Sequence, residues 1–270
     1  MRNEIVQDMN IEDYHRHAGI SNSGMKLILD CPAKYYAEYL DPNKPPKKRE
    51  DHFELGKAVH TLVLEPERFR DDVYVMPKLD RRTTEGKKEA IIHEAMSRGK
   101  TLIDEKDYEI AVKMSESIFR NLPWIKSALK DANIEESFFW VDEESGAQLK
   151  SRPDAYTEDY YIDLKTTSKA ASISDFTRSI STYSYHMQAA MAREALHKLK
   201  GIKYSHFIYV VVEESYPYLS AAFCLDDDFL QKGHDMFKSG AMQYAECLKT
   251  NRWPGYGAAV QQIYMPSWLK

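Results

Sequence analysis

The stretch "SRPDAYTEDYYIDLKTTSK", residues 151–169, places Asp154 behind a proline and Asp163-Leu164-Lys165 nine positions further on. Side chains of a strand alternate between faces, so Asp163 and Lys165 share one face and Leu164 turns the other way, into the core. Antiparallel pairing of two neighbouring strands can bring Asp154 to the same place. Two converging carboxylates repel unless a cation lies between them. Mg²⁺ prefers hard oxygen ligands and keeps several waters, so two carboxylates and a substrate phosphate suit it. A lysine beside such a site can orient a water and stabilise the charge that grows on a phosphate in flight. That chemistry is hydrolysis of a phosphodiester. A solvent-exposed hairpin with an incidental Asp/Lys pair is the plain alternative. A bare D-x-K carries little weight, whereas P-D-x(8)-D-x-K followed by a long helix is more specific.

The elements that must position these residues are readable in outline. "EESFFWV" and "AQLKSRPDAY" flank the turn "DEESG" as a hairpin, and "YYIDLKTT" is a third strand. "ISDFTRSISTYSYHMQAAMAREALHKLKG" holds one long helix ending near Gly201. "YSHFIYVVVE" and "YLSAAFCL" are two more strands, and "DDDFLQKGHDMFKSGAMQYAECLK" is a last helix with acidic residues at its start. Upstream, "GISNSGMKLILDCPAKYYAEYL", "FELGKAVHTLVLEPERF", the segment through Met96 and "IDEKDYEIAVKMSESIFRN" are helical, the second stopped near Pro66. This order predicts an α/β fold with a central mixed β-sheet flanked by helices. We read residues 1–270 as one domain: a mostly helical part over 1–131, a sheet-containing catalytic core over 132–250 and an irregular tail over 251–270.

The chain has 270 residues, 43% of them hydrophobic, which is enough for a sizeable core. A net charge of -5 does not suggest a histone-like basic binder, yet leaves room for a nuclease whose carboxylates hold metal and whose basic residues line one groove. Three cysteines, Cys31, Cys224 and Cys247, are too few and too scattered for a disulfide framework or a zinc ribbon. With no apolar run of membrane length and no signal-peptide stretch at the N-terminus, the expectation is a cytoplasmic protein with no membrane contact.

"RPD", "IDLKTT" and "YHMQAA" together resemble the PD-(D/E)XK nuclease superfamily, and in particular the nuclease domain of RecE (exonuclease VIII). "GISNSGMKLILDCPAKYY", "ELGKAVHTLVLEPERF", "DRRTTEGKKEA" and "NRWPGY…MPSW" resemble stretches of that domain in the same order, from about Asn10 to the end. The resemblance implies a Mg²⁺-dependent enzyme, with Mn²⁺ as a substitute, that digests double-stranded DNA 5′→3′ and leaves 3′ single-stranded tails for recombination by single-strand annealing. It implies double-stranded DNA ends as substrate, a RecT-like annealing partner and a homo-oligomeric ring, a tetramer by the resemblance. A RecB-like or Cas4-like nuclease of other polarity is the second reading; its iron–sulfur branch wants four cysteines. A catalytically inert DNA-end-binding module is the third.

The resemblance also assigns roles. Asp154, Asp163, the Leu164 backbone carbonyl and His60, from a G-x-x-x-H helix turn beginning at Gly56, are the metal ligands, and Lys165 positions water. A lone histidine on an amphipathic helix is otherwise structural more often than not. Tyr185 and Gln188, three apart on a helix, share a face; the family turns it toward the site, where Gln188 bonds the attacking water or a phosphate, or else only rims a packed helix. Arg81 and Arg82 of "DRRT" are candidates for DNA contact, ahead of Lys87, Lys88 and the cluster Lys44, Lys47, Lys48, Arg49. Ser21 and Ser23 can hold a terminal phosphate at a helix N-terminus or merely cap it. Arg152 can touch DNA or pair with a carboxylate. Glu65 and Glu136 are further acidic candidates. Tyr156, Tyr160 and Tyr161 need nothing beyond strand packing.

Overall fold

The computed structural model describes residues 3–45, 51–80, 82–203 and 206–266, with the backbone alone at 51 and 52. From the N-terminus come β1 (Glu4–Val6), α1 (Ile11–Arg16), α2 (Asn22–Asp30), α3 (Pro32–Tyr35), α4 (Asp51–Leu64), α5 (Phe69–Asp72), β2 (Val73–Met76), α6 (Thr84–Met96), β3 (Thr101–Asp104), α7 (Glu105–Asn121) and α8 (Trp124–Lys130). The second half holds β4 (Asn133–Ile134), β5 (Ser137–Val141), β6 (Gln148–Ser151), β7 (Ala155–Tyr156), β8 (Tyr160–Thr167), α9 (Ile173–Tyr183), α10 (Tyr185–Lys200), β9 (His206–Glu213), β10 (Ser220–Cys224) and α11 (Asp227–Thr250). Helix starts follow local chemistry: Ser21, Asp104, Ser172 and Asp226 each accept an N–H of the first turn they cap.

The central sheet runs β10-β9-β8-β7-β4. The β8–β9 pair is parallel and the others are antiparallel, so the sheet is mixed, with helices on both faces. Strand alternation divides the core in two. Tyr161, Phe207, Tyr209 and Val211 face α2, α10, α11 and a second, three-stranded sheet β1-β5-β6. Ile162, Leu164, Val210 and Val212 face α4, α7 and α8. Each such apolar side chain contributes roughly 1.5–3 kcal/mol on burial. Gly233 lets α11 approach α10: a Cβ there would stand 2.0 Å from the His186 carbonyl oxygen.

Two expectations are corrected. "AQLKSRPDAY" is not one strand. β6 ends at Ser151 in the three-stranded sheet and β7 begins at Ala155 in the central one, because Pro153 has no N–H to continue a ladder. The long helix before Gly201 is two helices, since Ser184 takes a left-handed backbone (φ 54°) between α9 and α10. The short strands β1, β2 and β3 had no counterpart in the sequence reading. Among the described residues no helix is long and apolar enough to cross a membrane.

Candidate active site

The site forms where β7 stops short. β7 pairs with β8 only through Ala155↔Ile162 and Tyr156↔Tyr161. One step further along this register, Asp154 stands opposite Asp163. Beyond it the edge of β8 has no strand partner among the described residues, and the Asp154 side chain takes that place: its Oδ2 accepts the Leu164 N–H at 2.8 Å. N–H and C=O of one strand residue leave on the same edge, so the Leu164 carbonyl emerges here too, where the His60 imidazole meets it. His60 comes from α4 and holds Nδ1 3.6 Å from Asp154 Oδ2.

Asp163 is fully buried. Its Oδ1 accepts from the Tyr161 hydroxyl at 2.9 Å and from the Gln188 amide at 2.6 Å. Its Oδ2 forms an ion pair with the Lys165 ammonium, without a well-directed hydrogen bond. That ammonium lies 4.8 Å from the Tyr185 ring centroid and 5.9 Å from that of Tyr209, which stands beside Asp163 on β9.

Charge is unevenly compensated. Burial, and then the Asp163 carboxylate, push Asp154 up to about 8 against the pull of Lys165 and the Leu164 N–H. Burial works against the Lys165 ammonium, but Asp163 and Asp154 outweigh it and hold its pKa above the usual lysine value. Burial and the nearby Lys165 hold His60 below the usual histidine value, hence neutral at physiological pH, the form in which imidazole ligates metals.

These residues fit a divalent cation. A carboxyl kept protonated near neutrality by burial and by its neighbour gives up its proton when a cation joins the pair, and Asp163 Oδ2 is poorly directed toward its present partner. Among the described residues no group of three or more His, Cys, Asp or Glu side chains forms a ready cage. The donor set is two carboxylates, a backbone carbonyl and a neutral imidazole, which leaves positions to water as Mg²⁺ favours.

The family described as "PDDEXK-like domain of unknown function (DUF3799)" matches residues 21–264. The chain belongs to this family. Its fold is similar to a crystal structure described as a "putative exonuclease" from Eubacterium rectale, with a TM-score of 0.65 and 16% sequence identity over 97% of each chain. No curated protein matches it. At that identity the likeness shows the fold, which is the PD-(D/E)XK one; nucleases of this superfamily generally use divalent metals.

In this PDDEXK-like chain the remaining candidates separate. Tyr185 opens α10 over Lys165, and Gln188, one turn on, gives its amide to Asp163. Of the two roles open to Arg152, DNA contact or a carboxylate partner, the structure has the second. The Arg152 side chain is 8% exposed and its donors go to Ser137 Oγ and the Met9 carbonyl, with Glu135 3.8 Å away, so it ties the N-terminal segment down instead of facing DNA. Glu136 is corrected: it is buried away from the site, held by Tyr156, Lys200 and Gln7. The acid that faces the site is its neighbour Glu135. A left-handed backbone (φ 45°) turns it there, and burial and Asp154 raise its pKa. Glu65 is paired with Arg68 at 3.0 Å. Ser21 caps α2 through the Gly24 N–H at 3.4 Å, and Ser23 is exposed in the first turn. Arg82 is exposed and paired with Asp80 at 3.0 Å. Arg81, Lys47, Lys48 and Arg49 lie outside the described residues. Tyr161 went unassigned in the sequence, although it sits two positions before Asp163 and shares its face by simple alternation.

Proposed function

We propose that this chain is a divalent-metal-dependent exonuclease that digests double-stranded DNA from the 5′ end and leaves 3′ single-stranded tails. The observation that carries the hydrolytic part is the opposition of Asp154 and Asp163 at the open edge of β8, with the Lys165 ammonium on the second carboxylate. Asp154, Asp163, the Leu164 carbonyl and His60 would hold the cation, which when bound supplies Lewis-acid polarisation of the phosphate and a more acidic water. Lys165 orients the attacking water and offsets the charge that builds on the phosphate. Tyr161 and Gln188 fix the Asp163 carboxylate in one orientation, as partners behind a ligand do. The Tyr185 and Tyr209 rings flank the lysine and screen its far side from water.

The polarity, the preference for duplex ends, a ring-shaped assembly and a RecT-like annealing partner are supported by the RecE-like motifs along the chain. Digestion of end-labelled linear duplex with and without Mg²⁺ tests the reading. We expect metal-dependent release of nucleotides from the 5′-labelled end and sparing of closed circles. Equal digestion in EDTA, or attack from the 3′ end, would sink it.

A further inference from the structure

Lys26 is half-buried in the second turn of α2. Its ammonium donates to the Tyr183 carbonyl at 3.3 Å, at the point where Ser184 ends α9. The Tyr183 ring stacks on Tyr185 with centroids 5.5 Å apart and planes at 30°, and Tyr185 in turn lies against Lys165. A continuous line of contacts therefore runs outward from the active lysine to Tyr183, which is 46% exposed and whose backbone carbonyl Lys26 holds.

Capping of α9 explains one long hydrogen bond from an ammonium that has three donors. It does not explain the setting. Burial, and then the Lys165 ammonium, disfavour charge on Lys26. Lys165 is already paired with Asp163, so an anion that arrives beside Tyr183 meets Lys26 as its cation. An exposed aromatic ring beside such a cation is how a nucleic-acid strand is commonly held, with the base on the ring and the phosphate on the ammonium.

We propose that Lys26 and Tyr183 form a subsite for the nucleotide adjoining the scissile phosphate, Lys26 taking its backbone phosphate and the Tyr183 ring stacking its base. The inference rests on the DNA-exonuclease reading. A base stacked on protein has left its partner strand, so the subsite also holds a duplex end frayed by one nucleotide.

The test compares Lys26→Met, which keeps the apolar stem, with Tyr183→Ala and Tyr183→Phe. DNA affinity is read by fluorescence anisotropy without divalent metal, and digestion is read with Mg²⁺. For Lys26→Met we expect KM to rise on the order of tenfold, more than kcat falls, and the slope of log Kd against log salt to flatten by about one. Tyr183→Ala loses on the order of tenfold in affinity for DNA ends, and Tyr183→Phe restores it. Unchanged affinity and salt slope in Lys26→Met, even with a lowered Tm, overturns the subsite and leaves a helix cap. A wild-type protein that digests no DNA with any divalent metal ends the exonuclease reading instead, while the anisotropy arm still decides the subsite.

Discussion

Two clusters in this molecule have nearly the same composition and opposite character. At the edge of β8 stand Asp154, Asp163, Lys165 and His60; between α10, α11 and the β5–β6 turn stand Asp142, Glu194, Lys238 and His234. Each has one almost fully buried aspartate, at 0% for Asp163 and 1% for Asp142. In the second cluster every carboxylate is answered. Asp142 accepts from the Ser145 N–H and hydroxyl at 2.9 and 2.6 Å and pairs with Lys238; Glu194 accepts from the Trp140 indole at 3.1 Å and from Lys238 at 3.1 Å. Burial works against the Asp142 charge, but Lys238 and Ser145 prevail and hold its carboxyl below the usual range. In the first cluster the lysine pairs with Asp163 alone; Asp154 has only the Leu164 N–H and a neutral imidazole beside it, and burial with the Asp163 charge pushes it up to about 8. A satisfied cluster fixes a turn to two helices. A cluster in which one buried carboxylate has no charged partner is set for something that arrives, and a cation on Asp154 is what would complete it.

Removing each lysine separates the two most sharply. Lys165→Ala should cut digestion of linear duplex by roughly 10³-fold with DNA binding retained. Lys238→Met should leave digestion at the wild-type rate and lower unfolding stability by about 3 kcal/mol, because Asp142 is then buried without its cation. Denaturant melts and a nuclease assay on both variants read this; if the two lose activity alike, the distinction between the clusters is gone.

The clusters also respond to pH with opposite sign. Asp154 is raised from 3.8 to about 8, so folding favours its protonated form: in metal-free protein its contribution is intact below about pH 4, falls as pH rises and is lost above about pH 8. Asp142 is depressed, so its contribution is present above the ordinary aspartate value of 3.8 and lost as pH falls below it. Cation binding needs the ionised Asp154, so the rise in Tm on adding Mg²⁺ should grow with pH across the first window. Asp154→Asn should abolish both the pH-dependent loss and the Mg²⁺ response. A variant whose Tm tracks the wild type at every pH, with and without Mg²⁺, would show that Asp154 is not strained by its neighbour.

How much of this was legible in the sequence depends on the range of the forces involved. Alternation along one strand needs no tertiary information, so Asp163, Lys165 and the inward Leu164 follow from "YYIDLKTT" alone. The arrival of Asp154 needed one pairing; that the strand stops and restarts around Pro153, passing from one sheet to another, showed only in the fold. The exchange of Glu136 for Glu135 was not readable, because a single left-handed residue reverses which of two adjacent acids faces the site. Nor was the break at Ser184, across which the helical pattern runs on. For Arg152 the sequence leaves DNA and a carboxylate equally open; only the fold brings Met9, Tyr14 and Ser137 around it. β1, β2 and β3 are three or four residues long and acquire their pairing from distant segments.

Smaller effects come from the residues behind Asp163. Gln188→Ala removes the shorter of two hydrogen bonds to Oδ1 and should cost about tenfold in activity or in Mg²⁺ affinity. Tyr161→Phe removes the other while keeping the ring packed on Phe207, so its effect should be a few-fold, with a stability change of about 1.5 kcal/mol. Both donors hold the same oxygen of a buried carboxylate. The loss of either leaves the other to fix the orientation, and the loss of both frees it. The double variant should therefore fall below the product of the two single effects. Strict additivity in that cycle, read as kcat/KM at several Mg²⁺ concentrations, would mean that the two bonds serve packing separately and that Asp163 is oriented by Lys165 alone. Asp142 supplies the control: its Ser145 contacts hold a turn, so Ser145→Ala should lower Tm and leave kcat/KM unchanged.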